Sequence, residues 1–532
     1  MIVLLGAVLA LVTLASRVPI PYPIFLVLGG LALSFAPTIV PVRLDPDLVF
    51  LVFLPPILWA AAYFTSLRDF RANLRTISLL AIGLVLATTA AVAAVARMLF
   101  PGMSWPVALA LGAIVSPPDA VAATAIARRL RIPHRVITVL EGESLLNDAS
   151  ALVAYRTAVA LAVTGGGFVL TDAVGQFLLS SVGGVLIGLA VGALTVLALR
   201  FTSDSLVETA ITLLAPYAAW IIAERAHTSA VLACVAGGLY LGQRLSALVA
   251  PATRVQALAV WGLLVFVLNG VIFVLIGLQL GAIREAGLPA SLTTVVWQGL
   301  VVTATAIAVR LVWVPLALVV PRLVSPALRR RDPIPPKGAM LLVAWIAMRG
   351  IVSLAAALAL PETFPFRDQI ILMTFAVILS TLVLQGLSLI PLIRWLALDE
   401  DRTLELEEER AREEAARSAL ARLDQLVGEP WPRPQDVERL RAIHTQRIRR
   451  ASSIDLGDCE ETAQAQAALR RLRHETLTAE RRTLLALRDR DVISDEVFHR
   501  LEQELDVEAM RTGLGDVRLS EAQVDGGGHL SL

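Results

Sequence analysis

The chain is dominated by long apolar runs that are separated by short charged or Pro/Gly-rich breaks. A helix needs about 20 predominantly apolar residues to cross a bilayer, and by hydropathy we count about thirteen such runs. The pattern predicts an all-α polytopic protein of the cell membrane, with about 13 transmembrane helices. The runs cover residues 2–16, 20–39, 48–64, 76–99, 105–126, 137–162, 176–199, 205–224, 228–243, 256–281, 293–320, 338–359 and 369–396.

Charge divides the 532 residues into two parts. Charged residues make up 17% of the chain, and the net charge of +1 hides their uneven spread. They are sparse in residues 1–398 and dense in residues 399–532. This predicts a transmembrane domain over 1–398 and a helical regulatory tail over 399–532. Within the tail, we expect helices over 401–426, 459–490 and 493–505, and a disordered end over 521–532.

The short loops between the runs predict the orientation. If the N-terminus lies outside, the loops on the inner side carry most of the basic residues, including the clusters at 68–75, 128–135 and 322–337. The outer loops carry few. This positive-inside bias places the tail in the cytoplasm.

The fifth run contains a helix break. Pro117 and Pro118 remove two backbone donors in mid-span. Unwound backbone is tolerated inside a membrane only where it is buried in protein or lines a cavity. Asp119 follows the break and would add a carboxylate to the freed carbonyls, a set of oxygens that suits a small cation. The alternative is a proline kink with an incidental hydrogen bond between helices.

The sixth run carries five polar residues in an otherwise apolar span. Ionisable side chains inside a membrane are costly and commonly functional. Ser144 and Asp148 are four residues apart and share a helix face, and Glu143 and Asn147 share the adjacent one. A structural salt bridge would explain one of these residues but hardly all, so we expect Asp148 to be functional. The five are Glu141, Glu143, Ser144, Asn147 and Asp148.

Two arginines lie in the middle of later runs. Arg310 and Arg349 each need a counter-charge, and a buried carboxylate is the expected partner. Gly350 marks a second possible helix interruption, seven runs after the first. That spacing predicts two inverted repeats with two broken crossing helices.

These residues stand in motifs that resemble the sodium/proton exchanger family, in the bacterial form of its monovalent cation:proton antiporter-1 branch. SPPDAVA at 116–122 resembles the family's broken-helix motif, and EGESLLNDASALV at 141–153 is the most specific match. Further matches follow in the family's order at 208–224, 266–280, 308–316 and 348–361, after one at 53–64. The resemblance covers almost the whole chain.

The resemblance implies a function and a role for each residue. The chain would exchange a monovalent cation, by default Na+, for H+ by electroneutral alternating access, as a homodimer whose core domain moves against a dimerisation domain. Asp148 would bind cation and proton in turn, with Asn147 beside it, while Asp119 and Ser144 would also hold the cation. Glu143 and Arg310 would form a structural ion pair, and Arg349 would neutralise the broken-helix region.

The chain departs from the family pattern at two positions. Many members have Thr-Asp-Pro where this chain has Pro118, Asp119 and Ala120, so a hydroxyl ligand is missing. The third run often carries an acid where this chain has Trp59 and then Ala60. These changes leave K+/H+ or broad monovalent cation/H+ exchange open, with Li+ a further possible substrate.

Other classes of function are disfavoured. A cation channel or sensor with the same fold stays open, although a titrating carboxylate argues for exchange. An intramembrane aspartyl protease would need Asp119 and Asp148 to share a proton, and neither stands in the Gly-x-Gly-Asp context of such enzymes. The histidines, among them His134 and His227, lack metal-ligand spacing. We therefore expect no enzyme activity, no cofactor, no nucleic-acid partner and no disulfide, and we expect membrane lipid around the spans.

Overall fold

The computed structural model describes residues 2–15, 17, 21–35, 45–119, 132–164, 170–285, 291–396, 403–429 and 431–453, with short stretches between 476 and 508. The chain divides into two compact units, Met1–Asp401 and Arg402–Leu532. The described residues form helices and loops, without a strand. Seven of these helices are long and apolar enough to cross a membrane. The prediction of an all-helical, multi-pass membrane protein is confirmed.

We number the helices in chain order over the described residues. The first unit contains α1 Ile2–Ala15, α2 Tyr22–Leu33, α3 Pro46–Phe64, α4 Leu67–Leu99, α5 Trp105–Val115, α6 His134–Thr164, α7 Leu170–Leu199, α8 Ser205–Arg225, α9 Ala230–Leu248, α10 Pro251–Glu285, α11 Leu292–Val324, α12 Pro326–Arg331, α13 Lys337–Trp345, α14 Ile351–Leu358 and α15 Arg367–Leu396. The second unit contains α16 Thr403–Leu426 and α17 Pro434–Ser453.

The helices depart from the predicted runs in a consistent way. The twelfth run is two short helices, α13 and α14, with residues 346–350 unwound between them. The helical part of the fifth run, α5, ends at Val115, before the two prolines. Residues 120–126, which complete that run, lie outside the described residues. The total of 13 spans therefore stays a prediction.

The first unit consists of two helix bundles. In the first bundle, α2 packs on α10, α3 packs on α9, and α7 packs on α9, with α1 and α8 alongside. In the second bundle, α4, α5 and α6 pack together, and α11 packs on α4, α13 and α15. The second bundle thus draws on the fourth to sixth runs and on the eleventh to thirteenth, which are seven runs apart. This spacing is the arrangement that inverted repeats produce.

Small residues bring the helices of the first bundle into close contact. A Cβ added at Gly277 of α10 would lie 2.3 Å from the carbonyl oxygen of Val27. A Cβ added at Gly30 of α2 would lie 2.3 Å from the carbonyl oxygen of Val274. Each glycine therefore lets the opposing backbone approach, as is common between membrane helices, where no hydrophobic force drives association.

Two membrane helices contain a wider π-helical turn, at Val49–Phe53 in α3 and at Leu79–Leu84 in α4. Backbone groups in a membrane need protein partners wherever the regular helix pattern is interrupted. Side chains of neighbouring helices supply them here. The Tyr217 hydroxyl donates to the carbonyl of Val52 at 3.3 Å, and the Trp313 indole donates to the carbonyl of Leu79 at 3.1 Å.

In the second unit, α16 and α17 pack against each other, and the side chains of Arg441 and Asp424 form an ion pair between them. Helix α16 lies where the sequence predicted one. Helix α17, which follows the break at 428–434, was not predicted, although its apolar residues recur with helical spacing. The predictions for 459–490, 493–505 and 521–532 fall mostly or wholly outside the described residues.

Candidate ion-binding site

Two unwound segments cross in the middle of the second bundle. One comprises residues 116–119, after α5, and the other comprises residues 346–350, between α13 and α14. The backbone N–H of Asp119 donates to the carbonyl of Met348 at 2.7 Å. This bond holds the two breaks together and supplies a partner to a carbonyl that no helix satisfies.

The carboxylate of Asp119 packs against the second break. A Cβ added at Gly350 would lie 2.0 Å from Oδ2 of Asp119. Any larger residue at position 350 would displace this carboxylate or separate the two segments. The backbone of Gly350 is extended, a conformation that ordinary residues also adopt. The glycine is therefore needed for the close approach of Asp119 and not for its backbone conformation.

Arg349 joins the two breaks through backbone carbonyls. Its Nε donates to the carbonyl of Val115, the last residue of α5, at 3.0 Å, and its guanidinium also donates to the carbonyl of Ala347. The hydroxyl of Thr381 accepts a bond from the Arg349 N–H at 3.2 Å. The positively charged guanidinium of Arg349 thus lies at the negative, C-terminal end of α5.

The prediction that Arg349 pairs with a buried carboxylate was wrong. In the described part of the chain, no carboxylate lies within ion-pair distance of this residue. The physical reason is that broken helices expose carbonyls, and a guanidinium has five donors with which to satisfy them.

Glu143 and Arg310 form a buried two-point ion pair. Both side chains are at most 2% exposed. Two guanidinium nitrogens of Arg310 contact the two carboxylate oxygens of Glu143, one of them at 2.8 Å. The Arg310 Nε donates to the carbonyl of Val343 at 3.2 Å. The pair therefore ties α6, α11 and α13 together beside the crossing.

Asn147 attaches α6 to the first break. Its Nδ2 donates to the carbonyl of Pro118 at 2.8 Å, and the side chain is fully buried. Its Oδ1 is buried without a hydrogen-bond partner. This amide therefore holds the helix that carries Asp148 against the crossing, and Pro117 and Pro118 are buried beside it.

Asp148 lies next to Asn147 and opens onto a cavity of about 430 Å³ between the two bundles. Its side chain is 7% exposed, and no described residue donates a hydrogen bond to it. The second bundle also contributes Asp119, Glu141 and Ser144 to the cavity wall. Among the described residues that line this cavity, none is basic. The structure thus brings Asp119, Ser144 and Asp148 to one cavity, with oxygen ligands of the kind that hard cations prefer.

Two further lining residues had no role in the sequence analysis. Glu141 lies on the same face of α6 as Ser144 and Asp148, three and seven residues away. Asn269 comes from α10 on the opposite wall. The spacing of Glu141 could have indicated its place, whereas Asn269 is a single polar residue in an apolar run.

Trp59 and Ala60 stand where many members of the family have an acid in the third run, and the structure shows what these two residues contact. The indole of Trp59 is buried and packs against Gly237 of α9, and the following Ala60 lines the cavity. This stretch of the wall is consequently apolar.

A second cavity, of about 840 Å³, lies between the bundles at the other end of α6. Arg156 of α6 and Glu224 of α8 line it and form an ion pair at 2.9 Å. Asp148 is therefore placed on α6 between two cavities that separate the same two bundles.

Comparisons with known proteins agree on one family. The model of the transmembrane sodium/hydrogen exchanger family matches residues 3–395. An uncharacterized Na+/H+ exchanger of Mycobacterium tuberculosis H37Rv is 35% identical over 523 residues, which cover 96% of this chain and 95% of the relative. A sodium, potassium, lithium and rubidium/H+ antiporter of Bacillus pumilus is 31% identical over 445 residues, or 77% of this chain and 63% of that protein.

The fold is also similar to a solved structure. The sodium proton antiporter MjNhaP1 of Methanocaldococcus jannaschii superposes with a TM-score of 0.57 at 18% identity. The match covers 74% of this chain and 97% of that protein. At this level of identity the likeness concerns the fold alone.

Proposed function

Since the chain belongs to the sodium/hydrogen exchanger family, we propose that it exchanges Na+ for H+ across the membrane and that the carboxylate of Asp148 carries both ions in turn. The family is one of transporters, so the chain is a secondary antiporter and the protease alternative is set aside. The energy for transport comes from the ion gradients.

One observation supports the role of Asp148 above the others. Each of the two buried arginines nearby is already engaged, Arg310 with Glu143 and Arg349 with backbone carbonyls. Asp148 therefore lacks a fixed counter-charge in the described part of the chain, although it lies deep in a membrane protein. A buried carboxylate must be neutralised, and here a mobile Na+ or H+ can do it through the cavity.

Exchange follows from competition at this carboxylate. Na+ binds only the ionised form, and a proton removes that form, so the two ligands exclude each other. One carboxylate that holds either one Na+ or one H+ would give one-for-one, electroneutral exchange. Ser144 and Asp119, which line the same cavity, would complete the oxygen ligands of the ion.

We propose alternating access through a movement of the second bundle against the first. The two cavities lie between the same bundles, on either side of Asp148 along α6. The positive-inside pattern would place the cavity at the Glu141 end on the cytoplasmic side. The same pattern supports a cytoplasmic location for residues 399–532. The family resemblance supports a homodimer. Both are part of this proposal.

Broad cation selectivity is the second candidate. The Bacillus pumilus relative is named for sodium, potassium, lithium and rubidium. This chain also lacks the hydroxyl that a threonine before Asp119 would supply, because Pro118 stands there. Fewer fixed ligands favour a site that discriminates less by ion size.

The test is ion-driven proton movement in proteoliposomes. Purified protein is reconstituted with a pH dye inside, and pulses of NaCl, LiCl, KCl and choline chloride are compared. We expect NaCl to move protons and choline chloride to leave the internal pH unchanged. An equal response to KCl would favour the broad exchanger, and no response to any cation would overturn the proposal.

Electroneutrality is checked in the same vesicles. The Na+ pulse is repeated with valinomycin and equal K+ on both sides, which holds the membrane potential at zero. An unchanged initial rate is the expected result. A marked acceleration would mean that each cycle moves net charge.

A further inference from the structure

The wall of the first cavity that faces Asp148 is almost entirely apolar. Helix α10 contributes much of this wall, and Asn269 is the one carboxamide among the described residues that line the cavity. The rest of that α10 face comprises Trp261, Gly262, Val265, Ile272 and Phe273.

The amide of Asn269 does not join α10 to a neighbouring helix by a hydrogen bond. Asparagine in a membrane helix commonly donates or accepts a hydrogen bond across a helix interface. Asn269 is only 7% exposed, yet its side chain makes no hydrogen bond to a described residue. Its amide atoms are not among the fully buried, unpartnered ones, which places them at the cavity surface. Since this amide faces a cavity, a ligand inside the cavity can satisfy it.

Asn269 and Asp148 lie at the same depth in their helices. Asn269 is one residue from the midpoint of α10, and Asp148 is one residue from the midpoint of α6. Both helices are long enough to cross a bilayer, and both residues line the same cavity. The carboxamide thus lies on the wall opposite the carboxylate, near the membrane midplane.

We propose that Asn269 is a cation ligand and a determinant of cation selectivity, supplied by the first bundle to the ion that Asp148 carries. Its Oδ1 is a neutral, hard oxygen of the kind that alkali cations accept. An ion held between the two walls would bind both bundles at once. The cation would then favour the arrangement in which the bundles are closest.

This inference rests on the proposed function and extends it to a residue of the opposite bundle. The structure also offers a matched control on the same helix. Gln279 of α10 is 4% exposed and has a buried, unpartnered Oε1, but it does not line the cavity. The substitutions Asn269→Leu and Gln279→Leu each remove one buried amide from α10, and only the first removes it from the proposed site.

The experiment measures the Na+ and K+ concentrations for half-maximal proton movement in proteoliposomes. We expect Asn269→Leu to raise the half-maximal Na+ concentration about tenfold, which corresponds to about 1.4 kcal/mol. The ratio of the half-maximal Na+ and K+ concentrations should change as well. Gln279→Leu should leave the half-maximal concentrations of both ions close to those of the wild-type protein. Asn269→Asp, which retains a side-chain oxygen, should bind Na+ better than Asn269→Leu.

A binding measurement that does not need transport completes the test. Na+ should raise the melting temperature of wild-type protein in detergent, by mass action on the folded state, and should raise that of Asn269→Leu less. Should Asn269→Leu not fold, Asn269→Ala replaces it in both assays. Wild-type values for the Asn269 variants, or equal shifts for Gln279→Leu, would overturn the inference. Absence of Na+-driven proton movement in the wild-type protein would instead overturn the proposed function.

Discussion

At the scale of single residues, the ion pair of Glu143 and Arg310 shows how a charge is retained inside a membrane protein. Burial removes the water around both groups, and their attraction compensates only when the geometry is good and the remaining donors are satisfied. Both conditions hold here, through the two-point contact and the bond from Arg310 to Val343. We expect the pair to have a structural role, because it is at most 2% exposed and is not among the described residues that line the first cavity.

Removal of either partner should leave an unpaired buried charge. We expect Glu143→Gln and Arg310→Met each to cost about 3–5 kcal/mol of stability. The double variant should recover part of that loss, because it strands no charge. Melting in detergent of the two single variants and the double variant checks this, and simple additivity of the losses would show that the two residues do not interact.

Gly350 offers a second residue-scale prediction. A methyl group at this position would meet Oδ2 of Asp119 at 2.0 Å, so either this carboxylate must move or the crossing must open to accept it. We expect Gly350→Ala to lower stability by about 1–3 kcal/mol, the usual cost of overpacking, and to reduce exchange strongly.

The matched control for Gly350→Ala is Gly6→Ala. An added Cβ at Gly6 of α1 would meet no atom within 4 Å. Parallel melting and proton-flux assays should separate the two variants. Wild-type exchange by Gly350→Ala would mean that the packing of Asp119 against this position is unimportant for transport.

The sequence could predict some of these residues better than others. Asp148 and Ser144 stand four apart in an apolar run, so helical periodicity alone placed them on one face. The partners of Arg349 could not be predicted, because the carbonyls of Val115 and Ala347 become available only where the broken helices cross. Asn269 carries no periodic or charge signal, and only the position of α10 across the cavity from α6 brings it near Asp148.

At the scale of helices, α6 connects the whole candidate site. Its Glu141 end lines one cavity, its Arg156 end lines the other, and Asp148 lies between them. Arg156 also contacts Glu224 of α8, which belongs to the first bundle. The two bundles therefore touch through charged side chains at one end of the proposed ion path.

A covalent link at this point should stop exchange if the bundles move against each other. We expect Arg156→Cys with Glu224→Cys, joined by a short cleavable bis-methanethiosulfonate in a background without Cys234 and Cys459, to lose Na+-driven proton movement. Reduction of the linker should restore the movement, because the constraint is only mechanical.

The control for the linker joins two positions within the first bundle. A Cβ added at Gly183 would lie 3.3 Å from Cβ of Thr228, which is near the separation that a disulfide requires. The pair Gly183→Cys and Thr228→Cys should therefore be linked without loss of exchange. Full activity of the linked Arg156/Glu224 variant would contradict the movement between bundles.

Sequence predicted the helices of this fold where one physical signal was dominant. Apolar runs gave the spans, and Pro117, Pro118 and Gly350 marked the two breaks, because prolines remove donors and a glycine admits close backbone approach. The π-helical turns in α3 and α4 were not predicted. They depend on Tyr217 and Trp313, which come from helices far along the chain. Helix α17 was missed as well, although its apolar residues recur with helical spacing.

At the scale of the whole molecule, the candidate ion site and the charged tail belong to separate compact units. The tail can influence transport only by favouring one conformation of the membrane unit over another. We expect a variant that ends at Leu398 to retain measurable exchange, with a shifted pH profile or a less stable dimer. Reconstitution of both proteins at matched amounts, across a range of pH, checks this.

Two outcomes would count against a regulatory tail. An unchanged pH profile and an unchanged dimer would show that the tail only aids folding. Complete loss of exchange in well-folded truncated protein would show that residues 399–532 are part of the transport machinery itself.

The central claim is that one carboxylate, Asp148, carries Na+ and H+ in turn. Its most direct test is proton movement on a Na+ pulse in proteoliposomes that contain wild-type protein or Asp148→Asn at matched amounts. The substitution keeps the shape of the side chain and removes its charge, so we expect a folded, membrane-inserted variant whose signal equals that of empty liposomes. Substantial Na+-driven proton movement by Asp148→Asn would contradict the account.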